Sequence, residues 1–158
     1  MMRFTTSVLG RLGTRAAVVA LAIGTSVFAL QSPSMADDNF FTWCGSADIS
    51  CQAGVQVSEP TGQDRCITAN VGNTRVCINY TGDIMFVRDN SGDTHSAVGR
   101  VVASSGVSDR WCRNAHGVGT WARCNFDWVE TAQKDVYGGV RISSTEARTN
   151  YLWSFING

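Results

Sequence analysis

Apolar and polar residues alternate with a period of two along much of the chain. In TWARCNFDWV, residues 120–129, the apolar-rich face holds Ala122, Cys124, Phe126 and Trp128. The opposite face holds Trp121, Arg123, Asn125 and Asp127. The segments KDVYGGVRI (134–142) and TNYLWSFI (149–156) alternate in the same way. This period is typical of β-strands that are buried on one side.

Turn residues separate these segments at short intervals. RCITANVGNTRVCINY, residues 65–80, gives two β-prone runs around Val71 and Gly72, and a two-residue loop there places Cys66 opposite Cys77. NSGD, residues 90–93, is a further turn signal from which the next strand returns. Only SSTEAR, residues 143–148, resembles a helical turn. We therefore predict an all-β fold, a compact, mostly antiparallel β-sandwich or barrel without internal repeats.

The N-terminus has the pattern of a secretory signal peptide. Residues 1–15 carry three arginines and no acid, an apolar run follows over 16–30, and small Ser34 and Ala36 precede the expected cut. The apolar run is too short for a comfortable membrane span. A cut after Ala29 and an uncleaved anchor are the alternatives. We expect an exported, extracellular protein without a membrane segment after cleavage.

Cleavage after residue 36 leaves 122 of the 158 residues. We divide the chain into a signal peptide (1–36), an extended aromatic N-terminal segment (37–43) and a disulfide-rich β domain (44–158). The part after the signal carries ten basic and thirteen acidic residues, a net charge of about −3, and Lys134 is the only lysine. It has no basic run, so we do not expect nucleic acid as a partner.

All six cysteines follow the predicted signal peptide, and an even number in an exported chain indicates disulfides. The sequence does not fix the pairing. We expect neighbours to pair, because the last two pairs each bracket a plausible hairpin: Cys44–Cys51, Cys66–Cys77 and Cys112–Cys124. No Cys-x-x-Cys or close histidine pair suggests zinc. DNSGD, residues 89–93, lacks the spaced acidic ligands of a calcium loop, so we expect no metal.

Few residues point to catalysis. His95 and His116 both fall at turns, where a solvated histidine needs no special role. Asp127 and Glu130 form a weak candidate for a glycosidase pair. Glu130, Arg141 and His116 form an equally weak candidate for a ribonuclease site, supported by residue type alone. We expect neither an enzyme nor a cofactor.

Aromatic residues instead favour binding. Five tryptophans and three tyrosines occur in the chain, many beside arginine or asparagine, and such residues anchor protein interfaces. We expect Trp128 and Trp153 in the core. Trp121 and Trp43 are the candidates for the surface, and Trp121 shares the more hydrophilic strand face with Arg123.

The segment DDNFFTWCGSADISC, residues 37–51, begins with an aromatic cluster, Phe40, Phe41 and Trp43. A terminus is normally frayed, so these side chains need a partner. Either the segment packs on its own domain, or it docks as a strand on another chain. The sequence favours neither.

The export signal, the six-cysteine β domain with WCRNAHGVGTWARCNFDWVE (residues 111–130), and the aromatic N-terminal segment resemble the small adaptor subunit of umbrella toxin particles. These are secreted antibacterial assemblies of filamentous actinomycetes. The resemblance implies a non-enzymatic adaptor that bridges a large repeat-bearing toxin subunit and lectin-like subunits similar to inactive trypsin-type proteases. It further implies that residues 37–43 insert into the repeats and that an aromatic face of the domain holds the lectin.

We therefore expect an extracellular protein-binding module, an adaptor on this resemblance. One alternative is an inhibitor of a secreted hydrolase, which would use RNAHGVGTWAR (113–123) between Cys112 and Cys124. Another is a carbohydrate-binding module that uses Trp121 or Trp43. A small hydrolase or ribonuclease comes last.

Overall fold

The computed structural model describes residues 38–157. The predicted signal peptide, with both of its cleavage alternatives, lies outside these residues. Within the described part, no helix is long and apolar enough to cross a membrane.

Ten β-strands make up the fold, and one 3₁₀ turn, Val71–Asn73, interrupts them. In chain order they are β1 (Ile49–Ala53), β2 (Val55–Val57), β3 (Arg65–Thr68), β4 (Arg75–Asn79), β5 (Ile84–Arg88), β6 (Ser96–Ala103), β7 (Asp109–Asn114), β8 (Trp121–Asn125), β9 (Lys134–Arg141) and β10 (Ala147–Phe155).

The strands form two five-stranded sheets that pack as a sandwich. Sheet A has the order β1-β7-β6-β9-β10, and sheet B has the order β2-β8-β5-β4-β3. All pairs are antiparallel except β1 with β7. The all-β prediction is confirmed. Of the two predicted architectures, a sandwich or a barrel, the structure has the sandwich. The region 38–157 contains no α-helix.

The core lies between the sheets, and β4 to β10 contribute alternate residues to it. Cys124, Phe126 and Trp128 belong to it, as the alternation in residues 120–129 predicts. Trp153 and Phe155 of β10 join the same cluster, so the expectation that Trp128 and Trp153 are core residues is confirmed. Burial of these large side chains is a main source of stability in a domain of this size.

The predicted disulfide pairing is confirmed for all three bridges. Cys66 lies directly opposite Cys77 on β3 and β4, although a 3₁₀ turn replaces the two-residue loop. The Cys112–Cys124 bridge does not bracket a hairpin. It joins β7 in sheet A to β8 in sheet B, and so ties the two layers together.

Two connections differ from the sequence expectations. The helical turn expected at 143–148 is wrong, because these residues form the bend of the β9–β10 hairpin and the start of β10. The NSGD turn does not close a hairpin, because β5 and β6 lie in different sheets. Local sequence marks a turn, but it does not show which strands pair.

Candidate functional site

The aromatic N-terminal segment packs on the outer face of sheet A. Phe40 and Phe41 are 8% and 1% exposed and form a second apolar cluster with Cys51, Val98 and Trp111. The ring of Phe41 stacks on Trp43 with 4.3 Å between centroids and meets Trp111 edge-on at 5.1 Å. The cluster lies outside the sandwich core, because Trp111 and Val98 alternate with core-facing neighbours along their strands.

Backbone hydrogen bonds fix this segment in place. Asp38 N donates to Cys51 O (3.0 Å), and the Asp38 carboxylate accepts from Ala53 N (2.7 Å), so the segment covers the outer edge of β1. Thr42 N donates to Ser144 O in the β9–β10 bend (2.9 Å). The segment is therefore part of this domain's own fold. Residues 41–45 form a bend and turns rather than an extended strand, so Phe40 and Phe41 are not presented as docking side chains.

Trp121 and Arg123 lie on the outer face of sheet B, as the alternation predicts. The expectation that Trp121 is exposed is wrong, because it is only 4% exposed. Arg88 lies directly opposite Trp121 on β5, and its guanidinium carbon is 5.7 Å from the centroid of the indole ring. Arg123 and Trp43 are half-buried. Trp121 is therefore no platform for a sugar or a protein partner in this structure.

The residues considered for catalysis have separate partners. The His116 Nε2 atom lies 2.7 Å from Gly54 O, and the Glu130 carboxylate accepts a hydrogen bond from Asn157. Arg141 donates through Nε to Phe40 O on the outer face of sheet A. His95 lies beside Asp93, 3.7 Å away. Across residues 38–157, no group of three His, Cys, Asp or Glu side chains is placed to hold a metal ion.

The most prominent exposed feature is the connection between β7 and β8, which crosses from sheet A to sheet B. Residues 115–119, AHGVG, are all exposed, and we call them the 115–119 loop. Val118 has 62% of its surface exposed. Gly117 and Gly119 have φ angles of 94° and 80°, in the left-handed region where glycine is favoured. The loop therefore presents an apolar side chain between two sharp turns.

Asn114 holds both ends of this loop from below. Its fully buried side chain donates through Nδ2 to Val87 O (3.1 Å) and Thr120 O (2.8 Å). Its Oδ1 accepts from His116 N (3.0 Å) and the Thr120 hydroxyl (3.2 Å). The single Thr120 hydroxyl hydrogen is shared with Gly117 O (2.6 Å), and the other three hydrogen bonds of the amide are unshared, which makes the network rigid. The Cys112–Cys124 bridge closes the same connection two residues before Asn114.

Asp89, directly after β5, links the 115–119 loop to the adjacent segment of residues 89–96. Its backbone accepts from Gly119 N (2.7 Å) and donates to Thr120 O (3.2 Å). Its carboxylate accepts from Ser91 N (2.9 Å). Burial raises the pKa of the Asp89 carboxyl above its usual value, against the effect of the bond from Ser91. Residues 89–96 and the 115–119 loop are thus one connected unit.

A cavity of about 300 Å³ lies between these two loops. Its walls include His95, Ser96, Ala115 and Val118. The cavity and the exposed loop together give one end of the sandwich both a projection and a hollow. A projecting loop beside a hollow suits recognition of another protein, since interfaces combine an apolar anchor with surrounding polar groups.

A larger hollow of about 460 Å³ lies between β1 and the end of β8. Two charged residues, Arg110 and Asp127, line it. Arg110 donates to Val107 O and to the backbone oxygen of Asp127, and Gln52 exchanges hydrogen bonds with the backbone of Asn125. The Arg110 and Gln52 side chains are already paired within the domain. The hollow therefore offers a ligand less than the loop end does.

No protein-family model matches the chain, and no curated protein or solved structure matches it significantly. The choice of site therefore rests on geometry. Sequence reasoning singled out the stretch between Cys112 and Cys124, but it missed Asn114, Asp89 and Val118. The paired left-handed glycines in HGVG are the signal that could have located the exposed tip.

Proposed function

We propose that the mature chain is a secreted, non-enzymatic protein-binding module whose main contact surface is the 115–119 loop. The proposal rests on one observation: the 115–119 loop is exposed to solvent, and it is also held firmly by the rest of the domain. Residues 115–119 are exposed, yet a disulfide, the buried Asn114 amide and the backbone of Asp89 hold them from three directions.

Rigidity of this kind favours binding. A loop held in one conformation loses little conformational entropy when it meets a partner, so more of the contact free energy remains as affinity. Val118 is an exposed apolar side chain between the two left-handed glycines of the loop. It is suited to enter a partner's apolar pocket.

Secretion is supported by the signal-peptide pattern and by three disulfides, which are compatible with an oxidising, extracellular environment. The umbrella toxin adaptor remains the narrower proposal drawn from the resemblance. In this structure, insertion of residues 37–43 into another chain would require Phe41 to leave its buried position. An adaptor built this way would use the loop end for at least one of its contacts.

The projecting loop favours a second role, as an inhibitor of an extracellular hydrolase. A short, disulfide-supported loop can enter an enzyme cleft and stay in one conformation there. On this proposal Val118 would occupy a side-chain pocket of the enzyme. Inhibition of a hydrolase by the mature protein separates this role from that of a passive adaptor.

The experiment is quantitative capture from the culture supernatant of the producing organism with tagged mature protein. The variant Val118→Asp introduces a charge at the loop tip. The matched control, Val55→Asp, changes a valine of similar exposure (58% against 62%) on the edge of sheet B. We expect the control to retain the partners of the unchanged protein and Val118→Asp to lose them. Equal retention by both variants would contradict the proposal.

A further inference from the structure

Two arginines meet on the outer face of sheet A, around one serine. Ser96 on β6 lies directly opposite Arg141 on β9. The Ser96 hydroxyl accepts a hydrogen bond from Nε of Arg113 on β7 (3.0 Å). Three neighbouring strands thus place two guanidinium groups on either side of a hydroxyl.

The packed N-terminal segment positions both guanidinium groups. Arg141 donates through Nε to Phe40 O (3.0 Å), and its guanidinium carbon is 5.7 Å from the centroid of the Phe41 ring. The guanidinium carbon of Arg113 is 5.8 Å from the centroid of Phe40. Each side chain is therefore fixed through Nε and through an aromatic ring, which leaves its two terminal nitrogens for other contacts.

Neither arginine has a carboxylate partner among the described residues. Arg100, on the same face, pairs with Asp109 at 2.7 Å, and Arg148, on the same sheet, pairs with Glu146 at 3.0 Å. Burial, and then repulsion by Arg141, lower the pKa of Arg113. Two half-buried cations side by side are unfavourable unless an anion joins them.

The terminal nitrogens of both arginines are open to solvent. Within residues 38–157 these nitrogens form no hydrogen bond, and none of them is fully buried. A guanidinium group offers two parallel N–H bonds that match the oxygens of a carboxylate or a phosphate. Two such groups and a hydroxyl around one point can hold an oxyanion from two sides.

We propose that Arg113, Arg141 and Ser96 form an oxyanion-binding site. The shared chemistry is that of a carboxylate or phosphate. A partner's acidic side chain or C-terminus could supply the first, and free phosphate the second. The site does not depend on the role of the 115–119 loop, although Ser96 also lines the cavity beside that loop.

The test is an NMR titration of the arginine Nε–Hε signals in the mature, disulfide-bonded protein. Three ligands are compared: inorganic phosphate alone, a short glutamate-containing peptide with an amidated C-terminus, and the same amidated peptide with glutamine in place of glutamate. We expect saturable shifts at Arg113 and Arg141 with phosphate, with the glutamate peptide or with both, and none with the glutamine peptide. A response to phosphate alone assigns a free anion, and a response to the glutamate peptide assigns a partner's carboxylate.

Variants test the assignment to these side chains. Arg113→Gln and Arg141→Gln should each weaken binding about tenfold or more, the effect of losing one charge-assisted hydrogen bond. Arg113→Lys keeps the charge, preserves the fold if the glutamine variant does not, and should weaken binding less. Arg148→Gln is the matched control and should leave binding unchanged. The proposal would be overturned if neither anion gave saturable shifts. It would also be overturned if Arg148→Gln weakened binding as much as Arg113→Gln and Arg141→Gln do.

Discussion

Asn114 is the side chain on which the exposed loop depends most directly. Replacement by alanine leaves the carbonyls of Val87 and Thr120 without their side-chain donor. We expect Asn114→Ala to lower the free energy of unfolding by about 1–3 kcal/mol, the usual cost of unpaired buried polar groups. Urea unfolding measures this change. Asn125→Ala, at an exposed asparagine, should stay within about 0.5 kcal/mol, and an equal loss in both variants would contradict the role of Asn114.

Asp89 should make stability depend on pH. Its folded-state pKa is raised, so between the usual value of 3.8 and the folded value the folded protein binds more protons than the unfolded chain. The contribution of Asp89 to stability therefore falls as pH rises through that window. The substitution Asp89→Asn would keep an acceptor for Ser91 N without the charge.

We expect Asp89→Asn to gain stability relative to the unchanged protein as pH rises from below 3.8 toward neutrality, and to keep that gain above the folded pKa. Urea unfolding at a series of pH values measures the difference. A stability difference that does not vary with pH would show that the Asp89 charge is not penalised by burial.

At the scale of single residues, the alternation of apolar and polar positions predicts the strand face on which a residue lies better than it predicts how exposed that residue is. Alternation placed Trp121 on the outer side of its strand correctly. Its burial depends on Arg88, which β5 brings opposite it from more than thirty positions away in the chain. Asn114 was missed for the same reason, because one of the groups it binds, the carbonyl of Val87, lies on another strand.

Among the elements, the N-terminal segment behaves as a cover for sheet A. It satisfies backbone groups at the outer edge of β1 and buries Trp111, which is 4% exposed. An uncovered edge strand is prone to pair with other chains. The segment therefore protects both an edge and an apolar patch.

Removal of residues 37–43 should lower the free energy of unfolding by about 3 kcal/mol or more, the typical cost of deleting a buried phenylalanine. The truncated protein should also bind a hydrophobic dye, because Trp111 and Val98 lose their cover. Urea unfolding and dye fluorescence measure these changes. Asn39→Ala, at an exposed position of the same segment, is the control. A truncated protein as stable as the control would indicate that the segment is not part of the fold.

The cysteine spacing predicted the three bridges but not what they join. Cys66–Cys77 lies within a hairpin, as expected, because a short turn brings sequence neighbours into register. The connection between Cys112 and Cys124 is almost as short, yet it crosses between sheets. Loop length alone does not distinguish the two cases, since both allow the required Cα separation.

At the scale of the whole molecule, the covering segment and the exposed loop lie on different parts of the sandwich. Sheet A carries the covering segment and the paired arginines on its outer face, whereas the end of the sandwich carries the 115–119 loop. The all-β class and the disulfide pairing could be predicted from alternation and cysteine count. The sheet order could not, because it depends on long-range pairing.

Amide hydrogen exchange of the mature protein, alone and bound to a captured partner, tests the central claim most directly. The account predicts new protection at Ala115, Gly117 and Val118, because the amides of His116, Gly119 and Thr120 already donate hydrogen bonds in the free protein. It predicts no change at four amides of the N-terminal segment that already donate to carbonyls in the free protein, those of Asp38, Phe40, Thr42 and Cys44. New protection at 38–44 with an unchanged loop would contradict it, and would show that the aromatic segment is the docking element.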